Sequence, residues 1–190
     1  MKKVDRSEIL DLGAYEGIRE RFRARIMEMK THRRVGLGEH MTIIFENHDT
    51  VLYQIQEMLR TERISQPSAV QHEIDTYNDL VPLDGHLSST LMIEYTDPAE
   101  RKEMLDRMGD LRTSVALHIG DAVIKGVFHD QPGEEDRLPA VNYVTFELGE
   151  AAAGLKKKGV EVAIVVDHPD YQSRDVLSDA TRISLADDLV

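Results

Sequence analysis

The sequence predicts an α+β fold, with N-terminal helices packed on a mainly antiparallel sheet of about five strands. Three observations carry that expectation. Apolar residues recur at helical spacing through the first third of the chain. From Leu87 onward the apolar runs shorten and are separated by Gly, Pro and Asp turn signals. Helices come first and strands with interspersed helices follow, an order that favours segregated layers.

Each element has its own signal. Ser7 to Leu12 reads as a short helix stopped by Gly13. Ala14 to Arg34 places Tyr15, Ile18, Phe22, Ile26 and Met29 on one stripe, which predicts a long amphipathic helix. Gly36 and Gly38 interrupt it, and His40 to Glu46 reads as a strand. Asp49 and Thr50 are N-cap residue types, so Val51 to Ile64 is expected to be helical. Pro67 opens a further helix to about Tyr77. Leu87 to Tyr95 is a strand, and Pro98 to Met108 a helix ending at Gly109. Gly120-Asp121 joins two runs, Ser114 to Ile119 and Ala122 to Phe128, into a hairpin. His129 to Pro139 is polar and reads as a surface loop. Val141 to Leu148 and Val160 to Val166 are strands flanking a short helix, Ala151 to Lys158. Residues 1–190 are expected to form a single domain, with 1–36 as an N-terminal helical arm and 175–190 as a weaker C-terminal helix or tail.

Composition narrows the chemistry. The 190 residues include no Cys, which removes disulfides, thiolate nucleophiles and Cys-ligated clusters from this chain. Net charge is −12, unevenly placed: residues 1–63 hold 12 Lys/Arg against 11 Asp/Glu, and residues 64–190 hold 11 against 24. An acidic body argues against general nucleic-acid binding, while an Arg-dense first helix leaves a local surface for an acidic partner. The N-terminus MKKVDRSEILDLG lacks a long apolar core, and Val162 to Val166 is far too short to cross a bilayer. A cytoplasmic location without membrane insertion is therefore expected.

Charged residues stand where apolar ones would continue a stripe. Arg33 extends the stripe of the first helix, and Glu62 extends Val51, Leu52, Ile55, Met58 and Leu59 on the second. A partly buried Arg33–Glu62 pair tying the helices together is the expectation. The other side of the second helix gathers Tyr53, Glu57, Arg60 and Ile64, with Gln54 nearby. Arg33, Tyr53, Gln54, Glu57, Arg60 and Glu62 thus form one candidate polar cluster. It is either a structural network or a pocket in which Arg binds an anion and Glu acts as acid or base. Arg19, Arg23, Lys30 and Arg34 share a narrow stripe of the first helix, read as a salt-bridged face or a docking surface. A candidate metal set is His40, Glu46 and His48, since residues 40 and 46 share a strand face. No His pair or Glu-x-x-His has metal-site spacing, and no phosphate loop, dinucleotide loop or nucleophile elbow occurs. No cofactor is expected.

Several segments resemble an uncharacterised bacterial family, classified as a domain of unknown function. They are KTHRRVGLG (Lys30 to Gly38), TIIFEN (Thr42 to Asn47) and YQIQEMLRTE (Tyr53 to Glu62). Tyr77-Asn78-x-Leu80-x-Pro82, the strand LSSTLMIEY and the turn DHPDY (Asp167 to Tyr171) extend the likeness over most of the chain. The resemblance carries no established activity. It implies a role beside a redox or peroxide-defence system, with an iron–sulfur oxidoreductase or a rubrerythrin-like protein as partner. The resulting expectation is an accessory or interaction protein that forms a homodimer. The alternatives are an enzyme or anion-binding protein with a polar Arg/Glu pocket, or a His/Glu metal-binding protein.

Overall fold

Asp11 accepts the Ala14 N–H at 2.9 Å and starts helix α1 (Leu12–Thr31), so Gly13 lies inside the first turn rather than stopping a helix. The structure, a computed structural model, describes residues 1–129 and 138–189. A 3-10 turn at Arg6–Glu8 stands where a short helix was expected. α1 ends before Arg33, and Arg34 opens strand β1 (Arg34–Leu37), which pairs with β2 (Met41–Glu46). The last residues of the predicted helical arm are therefore strand.

Helix α2 (His48–Thr61) starts earlier than the Asp49-Thr50 signal suggested. Asn47 is its N-cap: Asn47 Oδ1 accepts the Thr50 N–H at 3.0 Å, and Thr50 Oγ1 accepts the Asn47 N–H at 2.9 Å. Then follow α3 (Pro67–Tyr77), β3 (His86–Ile93), α4 (Pro98–Arg107), β4 (Val115–Ile119), β5 (Ala122–Lys125) and β6 (Val127–Phe128). β7 (Val141–Glu147), α5 (Ala153–Lys156), β8 (Val162–His168), β9 (Tyr171–Val176) and α6 (Asp179–Asp187) complete the order. Residues 130–137 of the expected loop His129 to Pro139 lie outside the described residues.

The fold is α+β, but among the described residues the strands form two antiparallel sheets rather than one. Their orders are β1-β2-β3-β7-β6 and β5-β4-β8-β9. The split occurs at Gly126, between β5 and β6, where one run of chain leaves the second sheet and enters the first. A Cβ there would sit 2.7 Å from Val144 Cγ1 and 3.2 Å from Phe146 Cε1, so only glycine fits the crossing. At the other ends of the sheets the Tyr171 hydroxyl donates to the Leu37 carbonyl and accepts the His40 N–H at 3.0 Å. That contact closes β9 against the β1–β2 turn.

The main core lies between the sheets. Ile43, Phe45, Leu91, Val144 and Phe146 of the first meet Val115, Leu117, Ile164 and Val166 of the second, with Leu105 of α4 and Leu185 of α6. Each such side chain contributes about 1.5–3 kcal/mol on burial. A second cluster joins Val51, Ile55 and Leu59 of α2 to Val70 and Ile74 of α3, with Val4 and Ile9 of the N-terminal segment. Tyr143, on the face of β7 opposite Val144, packs against this cluster. Helices α2 and α3 therefore cover the outer face of the first sheet. Helix α6 lies in the C-terminal segment, with its Leu185 and Ala186 buried. No helix among the described residues is long and apolar enough to cross a membrane.

Candidate functional site

With α2 fixed by its cap, Val51, Ile55 and Leu59 face the second core cluster while Tyr53, Glu57 and Arg60 turn toward α1. α1 answers with Tyr15, Arg19 and Phe22. The Tyr15 hydroxyl donates to Glu57 Oε1 at 2.7 Å. Arg19 adds a two-pronged contact, Nε to Oε1 at 2.8 Å and Nη2 to Oε2 at 2.7 Å. Phe22 stands edge-on between Tyr15 and Tyr53, with centroids 6.3 and 5.8 Å away. Arg60 Nε donates to Glu16 Oε2 at 2.7 Å beside them.

These contacts set the electrostatics. The Arg19 guanidinium, followed by the Tyr15 hydroxyl, holds the Glu57 carboxyl below its ordinary range against the opposing effect of burial. Burial and then the Glu57 hydrogen bond push the Tyr15 phenol up. Glu57 accepts from three donors and stays a bound carboxylate, so a general base at this position would first have to lose its own partners. The arrangement is a helix–helix clasp.

Of the six residues of the predicted cluster, Tyr53, Glu57 and Arg60 come together here. Gln54 lies beside Tyr77 of α3. Glu62 is exposed at the C-terminal end of α2, where its N–H caps the Met58 carbonyl at 3.0 Å. The expected Arg33–Glu62 pair does not form, because α1 ends before Arg33 and the chain turns away from the helix stripe. Arg33 is nonetheless 1% exposed. Its Nε donates to the Phe45 carbonyl at 2.8 Å, Nη2 to the Glu46 carbonyl at 3.1 Å, and Nη1 to Ser184 Oγ at 3.1 Å. Its ionic partner is Asp188, just beyond α6. Burial pushes the Asp188 carboxyl up, and Arg33 opposes that shift.

The candidate metal residues are not brought together. His40 stacks on Tyr95 with centroids 4.1 Å apart. Glu46 accepts the Thr90 hydroxyl at 2.8 Å, and its Oε2 is buried without a hydrogen-bond partner among the described residues. His48 lies 3.2 Å from Glu8 and 3.3 Å from Asp49. Among the described residues no group of three or more His, Asp or Glu side chains is placed to hold a metal ion.

The arginine stripe is also divided. Arg19 is taken by Glu57, Arg23 lies beside Tyr53, and Arg34 sits on β1 at 3.4 Å from Glu94. The opposite flank of α1 forms a groove with α2 and the N-terminal segment, of about 410 Å³. Leu10, Ile18, Phe22 and Leu52 line it together with Arg21, Arg25, Glu8 and Gln56. Buried Gln56 holds the N-terminal wall in place: its Oε1 accepts the Leu10 N–H at 2.7 Å, and its Nε2 donates to the Leu10 carbonyl at 3.4 Å. Sequence reasoning missed this groove, although Ile18 and Phe22, and likewise Arg21 and Arg25, stand four residues apart on the first helix. A larger cleft of about 620 Å³ lies between α5 and α6. There Arg182 Nη2 donates to the Lys157 and Leu155 carbonyls at 2.7 and 3.2 Å, while its Nε is buried without a hydrogen-bond partner among the described residues.

The family model described as "Protein of unknown function (DUF3501)" matches residues 3–189. The chain belongs to this family. No curated protein matches it. The family's fold recurs in a crystal structure of a novel protein of unknown function from Burkholderia pseudomallei K96243, solved at 1.90 Å resolution. That protein is 33% identical to this chain, covers 100% of both chains and superposes with a TM-score of 0.93. The family assignment thus agrees with the resemblance seen in the sequence, and it brings no activity with it.

Proposed function

We propose that this family member is a cytoplasmic accessory protein without chemistry of its own, which docks to a partner in a bacterial redox or peroxide-defence system. One observation carries the reading: the groove flank of α1 exposes arginines that the rest of an acidic chain leaves incompletely matched. Arg21 has no hydrogen bond or ion pair among the described residues. Unmatched cations on that flank favour association with an acidic surface and disfavour a contact of the flank with its own image. The clasp at Glu57 supports docking over a pocket, because the carboxylate already accepts from three donors.

The partner class follows from the sequence resemblance: an iron–sulfur oxidoreductase or a rubrerythrin-like protein. The working unit in this reading is a homodimer. It is supported by two exposed valines on the outer face of the second sheet, Val123 and Val176, which are 59% and 55% exposed. Affinity capture of the tagged chain from native cells, read by mass spectrometry, tests the function. Recovery of an oxidoreductase or rubrerythrin-like protein in stoichiometric yield is expected, and its absence across replicate captures would overturn the redox assignment.

A further inference from the structure

We infer that the groove between α1, α2 and the N-terminal segment receives an acidic amphipathic segment of the partner protein, an apolar side chain entering the floor and carboxylates pairing with Arg21 and Arg25. This rests on the docking function proposed above and names where the partner sits and what it presents.

The floor and the rim ask for different chemistry. Leu10, Ile18, Phe22 and Leu52 offer apolar surface, and Leu10 is left 37% exposed. At the rim, Arg21 is unpaired among the described residues. Arg25 lies 3.2 Å from Asp49 and 5.2 Å over the Phe22 ring, which leaves guanidinium donors free. The acid nearest the floor is already matched, since Glu8 accepts the Asp5 N–H at 2.7 Å and lies 3.2 Å from His48. The unmatched charge at the groove is therefore positive. Arg21 and Arg25 stand one helical turn apart, on the order of 6 Å. Carboxylates one turn apart on a helix, or two residues apart on a strand, have the same spacing.

A second copy of this chain is the poorer occupant. A two-fold contact through the groove would set Arg21 and Arg25 against their own images, and like charges across an interface are disfavoured. The N-terminal wall is also preformed. Gln56 fixes the Leu10 backbone from a buried position, so little ordering cost remains on the N-terminal wall when a segment enters.

The test is site-specific photo-crosslinking of the full chain in native cells, with the photoreactive residue at Leu10 and a control at the exposed Ile183 of α6. The expected result is an adduct from Leu10 to another polypeptide, whose crosslinked peptide carries both carboxylates and aliphatic or aromatic residues. Arg21→Glu with Arg25→Glu should reduce that adduct at least about tenfold. Arg21→Glu alone, at an exposed side chain with no partner to lose, should reduce it in a chain whose thermal unfolding is unchanged. An adduct only with a second copy, one to a neutral or basic peptide, or one indifferent to charge reversal would overturn the inference. A partner recovered by capture but crosslinked only from Ile183 would overturn the groove while leaving the docking function intact. A capture that recovers no partner removes both.

Discussion

Glu57 and Arg33 are both charged residues at helix-contact positions, and their surroundings differ enough to predict different responses. Glu57 is partly reached by water, with 23% of its side chain exposed, and its carboxyl is held below the ordinary 4.5. A carboxyl lowered by folding stabilises the fold fully above about pH 4.5, and that contribution fades as pH falls through its lower folded value. Glu57→Gln should therefore cost about 1–2 kcal/mol in urea unfolding at neutral pH, modest because solvent screens the pair. The variant should also lose less stability than the wild type as the solution is acidified. Arg33 has no such relief. Arg33→Met would leave the Asp188 carboxylate and the Phe45 and Glu46 carbonyls without their donor, and should cost about 3–5 kcal/mol in the same assay. Both residues could be singled out from sequence because each stood on or beside an apolar stripe. Their partners could not. Tyr15 and Arg19 lie some forty positions from Glu57, and Asp188 lies in a polar C-terminal segment with no periodic mark of its own.

At the scale of elements, legibility followed apolar periodicity. α2, α3, β3 and β7 announce themselves by spacing and turn chemistry, and each lies within a few residues of its expected bounds. β9, read as Tyr-Gln-Ser-Arg-Asp-Val, alternates only between half-buried and exposed positions, so it left no apolar signal: residues 171–174 carry no expected element, and Asp175 and Val176 fall at the start of the expected closing helix or tail. β1 went unread: the expected helix overran into Arg34 because Arg33 continued the helical spacing by coincidence, and Gly36 and Gly38 read as a break rather than as strand. The division into two sheets was equally silent: Gly126 looks like any strand glycine until the crowding of Val144 and Phe146 around it is known. Tyr171 closes the opposite ends of the sheets, so Tyr171→Phe should cost about 1–2 kcal/mol. Hydrogen exchange is the sharper readout, with the His40 amide losing protection while amides in the β3–β7 ladder keep theirs.

For the whole molecule the governing feature is charge asymmetry. The acidic surplus lies in residues 64–190, and the exposed arginines of α1 lie in the near-neutral remainder. Docking through such a surface is screened by salt, so recovery of the partner should fall steadily as ionic strength rises past the point where the Debye length is about 10 Å. The proposed homodimer makes a separate demand. With its contact placed on the exposed Val123 and Val176, sedimentation velocity should show a dimer that persists at high salt and dissociates in Val123→Lys. The sequence exposed the asymmetry and the Arg-rich helix, but it could not say which arginines were already engaged. Arg19, Arg23 and Arg34 are, and Arg21 is not.

The most direct measurement is partner recovery per folded molecule in two variants side by side. Glu57→Gln loosens the clasp and leaves the groove flank alone; Arg21→Glu with Arg25→Glu reverses the flank and leaves the clasp alone. Glu57→Gln should unfold more easily yet recover its partner, while the charge-reversed chain should stay folded and lose it. Undiminished recovery by the charge-reversed chain, or loss in Glu57→Gln alone, would move the function from the α1 surface back to Glu57.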